Sequence, residues 1–313
     1  MRRLLKTRFT LELAALVVLN AAVPFSVLAA PADFTLKEAG GTKTFSPADA
    51  KGKYVALHFL LKTECPNCLT LTQEYTAKAG QLPDVVSVFI KPDTDEDIVK
   101  WAAGLSGADK ASAPTIYRDP DAQLAEAFGI QNGYAFHGET IHYPALILLD
   151  PSGKEVFRYV GKGTGDRYSF SKLVTKMAEL KHQGAAAQYN LDKSGLALQG
   201  YDAVSYFSGA PLPGKKDYAT KFAGATYYFA TAGNRDAFLA APDKYLPAYG
   251  GWCATAMALG KKVEISPENY KVTDGRLFLF YKNFISNAIG DWNKDEAKNI
   301  VSADKHWKEF SGE

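Results

Sequence analysis

The chain has 313 residues, 47% hydrophobic and 22% charged, with 26 glycines, 15 prolines and three cysteines. That is long enough for two domains with separate cores, and the composition excludes disorder, collagen-like repeats and a disulfide-dense mini-scaffold. The formal charge is +2, but Arg2, Arg3, Lys6 and Arg8 sit at the amino terminus and no basic run follows them, which leaves no electrostatic case for binding nucleic acid or an anionic membrane.

The amino terminus reads as an address. Met1 to Arg8 is basic, Leu13 to Ala22 is apolar apart from Asn20, and Val27-Leu28-Ala29-Ala30 offers small residues for cleavage. This pattern predicts a secretory signal over residues 1–30. A membrane anchor needs ~20 uninterrupted apolar residues, and Asn20, Pro24 and Ser26 interrupt this run. The expected location is the periplasm or the external medium, with no stable membrane anchor after cleavage and with disulfides permitted.

Residues 31–180 alternate strand-like and helix-like segments. Lys53 to Leu61 is a near-continuous apolar run, as a buried strand requires. A helix is predicted from Cys65 to Ala77, a second buried strand from Asp84 to Ile90, and a helix from Asp95 to Leu105. A short strand (Thr115 to Arg118), a helix carrying Leu124, Phe128 and Ile130, and the strand Ala145 to Leu149 follow. Asp150-Pro-Ser-Gly153 is a turn that pairs Glu155 to Val160 back as a hairpin, and Ser169 to Leu180 closes as an amphipathic helix. The alternation predicts an α/β fold, a mixed sheet with helices on both faces.

Residues 181–188 lack apolar periodicity and read as a linker. Residues 189–313 form an aromatic-rich α+β half. Ala223-Gly224 and Asp274-Gly275 each sit between short strands and predict tight hairpins. Helices are expected over Arg235 to Tyr245 and Trp252 to Leu259, and two more between Asn283 and Trp307.

Cys65-Pro66-Asn67-Cys68 follows a buried strand and opens a helix. At that position unpaired backbone amides favour the thiolate of Cys65, and Cys68, one turn on, is placed to resolve a mixed disulfide. The alternatives are a structural disulfide or a clamp for a soft metal. Together with Tyr143-Pro144 before a later strand, the unit resembles the thioredoxin fold. Thr115 to Ile130 and Tyr143 to Gly153 are more similar to its redoxin branch, the alkyl hydroperoxide reductase and thiol-specific antioxidant type, which includes peroxiredoxins. The resemblance implies Cys65 and Cys68 as a redox-active pair with no further cofactor. It also implies a cis Pro144 beside the pair, where Tyr143 and Pro144 would bind substrate backbone.

The sequence departs from the peroxidase pattern. Where peroxiredoxins carry Thr three residues and Pro seven residues before the reactive cysteine, it has Lys62 and His58, so peroxidase activity is not expected. Glu64 precedes Cys65 where thioredoxins carry Trp, and opposes a thiolate there. His58 reads as a core histidine or a proton shuttle for the resolving step. His137 and His142 flank the loop before Pro144 and with the cysteine pair compose the alternative, a periplasmic protein holding copper or another soft metal.

Gly200 to Phe207, Ala225 to Ala230, Asn234 to Phe238, Pro242 to Tyr245 and Tyr249-Gly-Gly-Trp-Cys253 together resemble a secreted bacterial YHS domain. Metal-holding relatives place cysteines where this chain has Ala230 and Asn234, so that site is missing. Cys253 reads as a small buried apolar residue, or else as an accessible thiol served by the Cys65–Cys68 pair; Asp202 reads as a helix cap. The expected protein is an exported thiol–disulfide oxidoreductase. Its partners would be exported thiol or disulfide proteins and an electron donor or acceptor.

Overall fold

The computed structural model describes residues 33–62, 65–105, 113–136 and 138–312. The predicted signal, Glu64 and His137 lie outside them. A small hairpin, β1 (Leu36–Glu38) and β2 (Thr44–Phe45), precedes β3 (Tyr54–Phe59), α1 (Pro66–Ala77), β4 (Val85–Lys91), α2 (Asp95–Ala102), β5 (Ile116–Arg118) and α3 (Gln123–Ala127). A second hairpin, β6 (Asn132–Phe136) and β7 (Glu139–His142), leads to β8 (Ala145–Leu149), β9 (Glu155–Val160) and α4 (Phe170–His182).

Seven of these strands form one sheet in the order β2-β1-β5-β4-β3-β8-β9. β3 pairs in parallel with β4 and antiparallel with β8, and β4 pairs in parallel with β5. The two-residue period of a strand divides β3 between two cores. Val55, Leu57 and Phe59 join Phe128 and Ile147 on one face; Ala56 joins Cys65, Cys68, Tyr75 and Leu173 on the other. This is the mixed sheet expected from the alternating pattern, and it sets the cysteine pair on the α1 face.

Three features differ from the sequence reading. The β1–β2 and β6–β7 hairpins were not predicted; both are short and carry little apolar alternation. Helix α3 stops at Ala127, because Gly129 turns the chain at φ 65° and carries Ile130 into the core outside the helix. The expected cis bond at Pro144 is trans, no cis bond occurring among the described residues. The chain enters β8 straight from the β6–β7 ladder, Tyr143 N–H donating to the Gln131 carbonyl at 2.9 Å, so no tight turn calls for the cis form.

Beyond α4, residues 181–188 are ordered. Lys181 and His182 finish α4, Ala185 enters the second core, and the Gln188 carbonyl accepts the Trp252 indole N–H at 2.7 Å. The second half comprises β10 (Lys215–Phe222), β11 (Ala225–Phe229), α5 (Ala232–Ala240), α6 (Pro242–Tyr245), α7 (Ala254–Ala258), β12 (Tyr270–Thr273), β13 (Arg276–Leu279), α8 (Ala288–Trp292) and α9 (Glu296–Ser311). Ala223-Gly224 and Asp274-Gly275 make the two expected hairpin turns, all four residues at positive φ. Phe238 packs against Phe222, Tyr227 and Phe229, so the aromatic stripe is core. Contact between the halves runs through α4, where Thr175 donates to the Leu239 carbonyl and Lys181 and His182 both meet Asp243 at 2.9 Å.

Candidate active site

Cys65 is the N-cap of α1, and Pro66 at the first helical position removes a backbone N–H that would have no partner there. The Cys65 sulfur accepts the Cys68 backbone N–H at 3.1 Å, and the two cysteines are joined as a disulfide. Cys68 is fully buried and Cys65 is 8% exposed, so external reagents reach the pair through Cys65. The Cys68 amide therefore points at the sulfur that is accessible.

A third residue completes this arrangement. The Arg167 guanidinium Nη2 lies 3.1 Å from the Cys65 sulfur and 3.3 Å from that of Cys68. Burial lowers its pKa to about 10, which leaves it charged at neutral pH. It arrives on a glycine-rich loop, Gly161-Lys-Gly-Thr-Gly-Asp-Arg167, between β9 and α4. Gly161 N–H donates to the Pro144 carbonyl at 2.8 Å, and a Cβ at Gly161 would sit 2.4 Å from the Asp166 carbonyl oxygen. Asp166 pins the loop by accepting the Tyr159 hydroxyl and the Lys162 N–H. The sequence reading missed Arg167. The available signal was three glycines in alternate positions just before a helix cap, with an arginine two residues after the last.

The other expected site residues are placed as follows. The Tyr143 ring lies over Gly133, its hydroxyl donating to the Gly133 carbonyl at 2.9 Å. Pro144 lines a small cavity with Arg167, His58 and Leu71. His58 is buried, stacked on Phe89 and 3.4 Å from the Ser87 hydroxyl, and burial lowers its pKa to about 3. It is a neutral core histidine. His142 is also buried, which lowers its pKa, and its Nδ1–H donates to the Tyr143 carbonyl at 2.8 Å. No group of three or more His, Cys, Asp or Glu suited to a metal occurs among the described residues.

Lys62 forms an ion pair with Glu139 of β7. At the end of β4, the Lys91 ammonium is fully buried, 3.3 Å from Asp93, and donates to the carbonyl of Leu61. Burial lowers its pKa while Asp93 opposes that shift. This pair anchors the strand end that feeds the cysteine loop.

In the second half Cys253 is 1% exposed and caps α7, so it is a packed thiol inaccessible to the disulfide. Asp202 is fully buried. Its carboxylate accepts the N–H groups of Val204, Ser205 and Ala230 and the side-chain amide of Asn234. It therefore does more than cap a helix: it joins three segments, and two of its donors come from the positions where metal-holding relatives carry cysteines.

The mixed sheet, with a disulfide at the start of its first long helix, defines a thioredoxin-like redoxin domain. The chain carries an AhpC/TSA-family redoxin domain followed by a YHS domain: residues 28–156 match the AhpC/TSA family and residues 203–249 match the YHS domain. Among solved structures it is similar to Mycobacterium bovis AhpC, at 15% identity over 49% of this chain and 90% of that one, TM-score 0.41. It is similar to Xanthomonas campestris peroxiredoxin Q, at 20% identity over 41% of this chain and 80% of that one, TM-score 0.34. It is also similar to the exposed lipoprotein thioredoxin Etrx1 of Streptococcus pneumoniae, at 26% identity over 42% of this chain and 90% of that one, TM-score 0.32. No match to a curated protein was found.

Proposed function

We propose that this protein is an exported thiol–disulfide oxidoreductase in which Cys65 is the nucleophile and Cys68 the resolving thiol. The observation that carries the reading is the convergence of the Cys68 N–H at the start of α1 and the Arg167 guanidinium on the Cys65 sulfur. Both favour a thiolate, the species that exchanges. In the reduced protein the Cys65 thiolate attacks a partner disulfide, a mixed disulfide forms, and Cys68 displaces the partner thiol as the intramolecular disulfide closes.

Peroxidase chemistry is not part of this reading. The position three residues before Cys65 is Lys62, held by Glu139, and the position seven before is His58, held in the core. Export rests on the amino-terminal pattern of residues 1–30. The expected partners are thiols and disulfides of that compartment, together with an electron donor or acceptor.

Cys68→Ser should trap a mixed disulfide through Cys65, and Cys65 in the reduced protein should be alkylated at neutral pH faster than free cysteine. Absence of the adduct together with an ordinary alkylation rate would overturn the reading. The reduction potential of the pair then decides direction, since reductants and oxidants of this kind differ by more than about 100 mV.

A further inference from the structure

Resting on that reading, we infer that the natural exchange partners of Cys65 are small anionic thiols and their disulfides, and that extended polypeptide segments are excluded. The first observation is main-chain occupancy at Tyr143-Pro144, where a polypeptide would have to pair. Adding a strand needs free N–H and C=O groups on the receiving edge. Here Tyr143 N–H is bonded to the Gln131 carbonyl at 2.9 Å, and Tyr143 C=O accepts His142 Nδ1–H at 2.8 Å. Pro144 has no N–H, and its carbonyl accepts Gly161 N–H at 2.8 Å. The β6–β7 hairpin thus holds the place of an incoming strand, and the Tyr143 hydroxyl locks it there through Gly133.

The second observation is charge. Lys62 is paired with Glu139 and Lys91 with Asp93, but no carboxylate pairs with Arg167 among the described residues. Its Nε–H is buried without an acceptor. A guanidinium with no carboxylate ion pair among the described residues therefore faces the disulfide, of which only Cys65 is reachable. A compact thiolate with a carboxylate fits this opening; a chain needing several main-chain bonds does not.

The step is balanced. The external thiolate forms a bond to the Cys65 sulfur, the Cys65–Cys68 bond breaks, and Cys68 leaves as a thiolate beside Arg167. A second external thiolate attacks the external sulfur of the mixed disulfide, the bond from that sulfur to Cys65 breaks, and Cys65 leaves as a thiolate. The small disulfide departs, and two electrons have passed from two small thiols to the cysteine pair. The reverse sequence reduces a small disulfide.

The test uses the full oxidised protein and three thiols: mercaptoacetate, cysteamine and an unstructured peptide with one cysteine, with rates compared per thiolate. At an ionic strength of about 0.01 M, mercaptoacetate is expected to react about tenfold faster than cysteamine, and the gap to close near 1 M salt. The peptide should be about tenfold slower than mercaptoacetate. Arg167→Met should remove the charge preference, and Tyr143→Ala should raise the peptide rate relative to the small-thiol rates. A wild-type protein that reacts with the peptide as fast as with mercaptoacetate, or with cysteamine as fast as with mercaptoacetate, overturns this inference and leaves the oxidoreductase reading standing. Failure to exchange with any of the three, or with dithiothreitol, overturns both.

Discussion

The guanidinium of Arg167 lies 3.1 Å from the sulfur of Cys65, although 102 positions separate them in the chain. On the proposed reading, this contact should become a charge-assisted hydrogen bond to a thiolate in the reduced protein and stabilise the reduced state against the disulfide. Arg167→Met should raise the Cys65 pKa by about one unit, equivalent to about 1.4 kcal/mol, and make the potential more negative by about 30 mV. The pH dependence of alkylation and redox equilibration with glutathione measure the two effects. An unchanged pKa would show that the contact is only packing.

Gly161 controls where Arg167 sits. A methyl group there would meet the Asp166 carbonyl at 2.4 Å and Pro144 at 2.9 Å, and neither can rotate away. Gly161→Ala should cost about 1–3 kcal/mol of stability and slow exchange as the loop moves. Gly163, with open space around its Cβ position, is the control: Gly163→Ala should change neither the urea midpoint nor the exchange rate.

His58 makes the redoxin half sensitive to acid. Its pKa is near 6.5 in the unfolded chain and falls to about 3 when buried. The unfolded state thus binds the extra proton first. Stability is undiminished above pH 6.5 and falls by about 1.4 kcal/mol per pH unit toward pH 3 through this group alone. His58→Gln, which keeps a partner for Ser87, should flatten that slope, as read from urea midpoints over the same range. An equally steep slope in the variant would assign the acid sensitivity to other groups.

Asp202 holds the YHS half together. Asp202→Ala would leave the buried Val204 N–H and the partly buried Ala230 N–H and Asn234 amide without their acceptor. At about 1–3 kcal/mol for a buried donor left unsatisfied, and less for the two partly buried ones, a loss of about 2–3 kcal/mol is expected. Trp252, Trp292 and Trp307 lie in this half, so tryptophan fluorescence follows its unfolding. Thiol exchange by the folded variant should be unchanged.

Local sequence carried much of the fold. The buried strand ending at Phe59, the helix opening at Cys65 and the hairpin turns at Ala223-Gly224 and Asp274-Gly275 are all legible from neighbours a few positions apart. Each depends on burial period, a cap or a turn residue, and such effects act within one or two turns of chain. Cys65 was legible as a site residue for the same reason.

Tertiary structure decided who meets that cysteine. Arg167 reaches the sulfurs only because the sheet closes β8 against β9 and Gly161 lets the following loop fold onto Pro144. The β6–β7 hairpin, weak in apolar alternation, is held by Tyr143, whose hydroxyl donates to Gly133 and whose main-chain N–H donates to Gln131. Contacts of that kind depend on strand order and on the space left when two cores have packed, and neither quantity is written in any short stretch of residues.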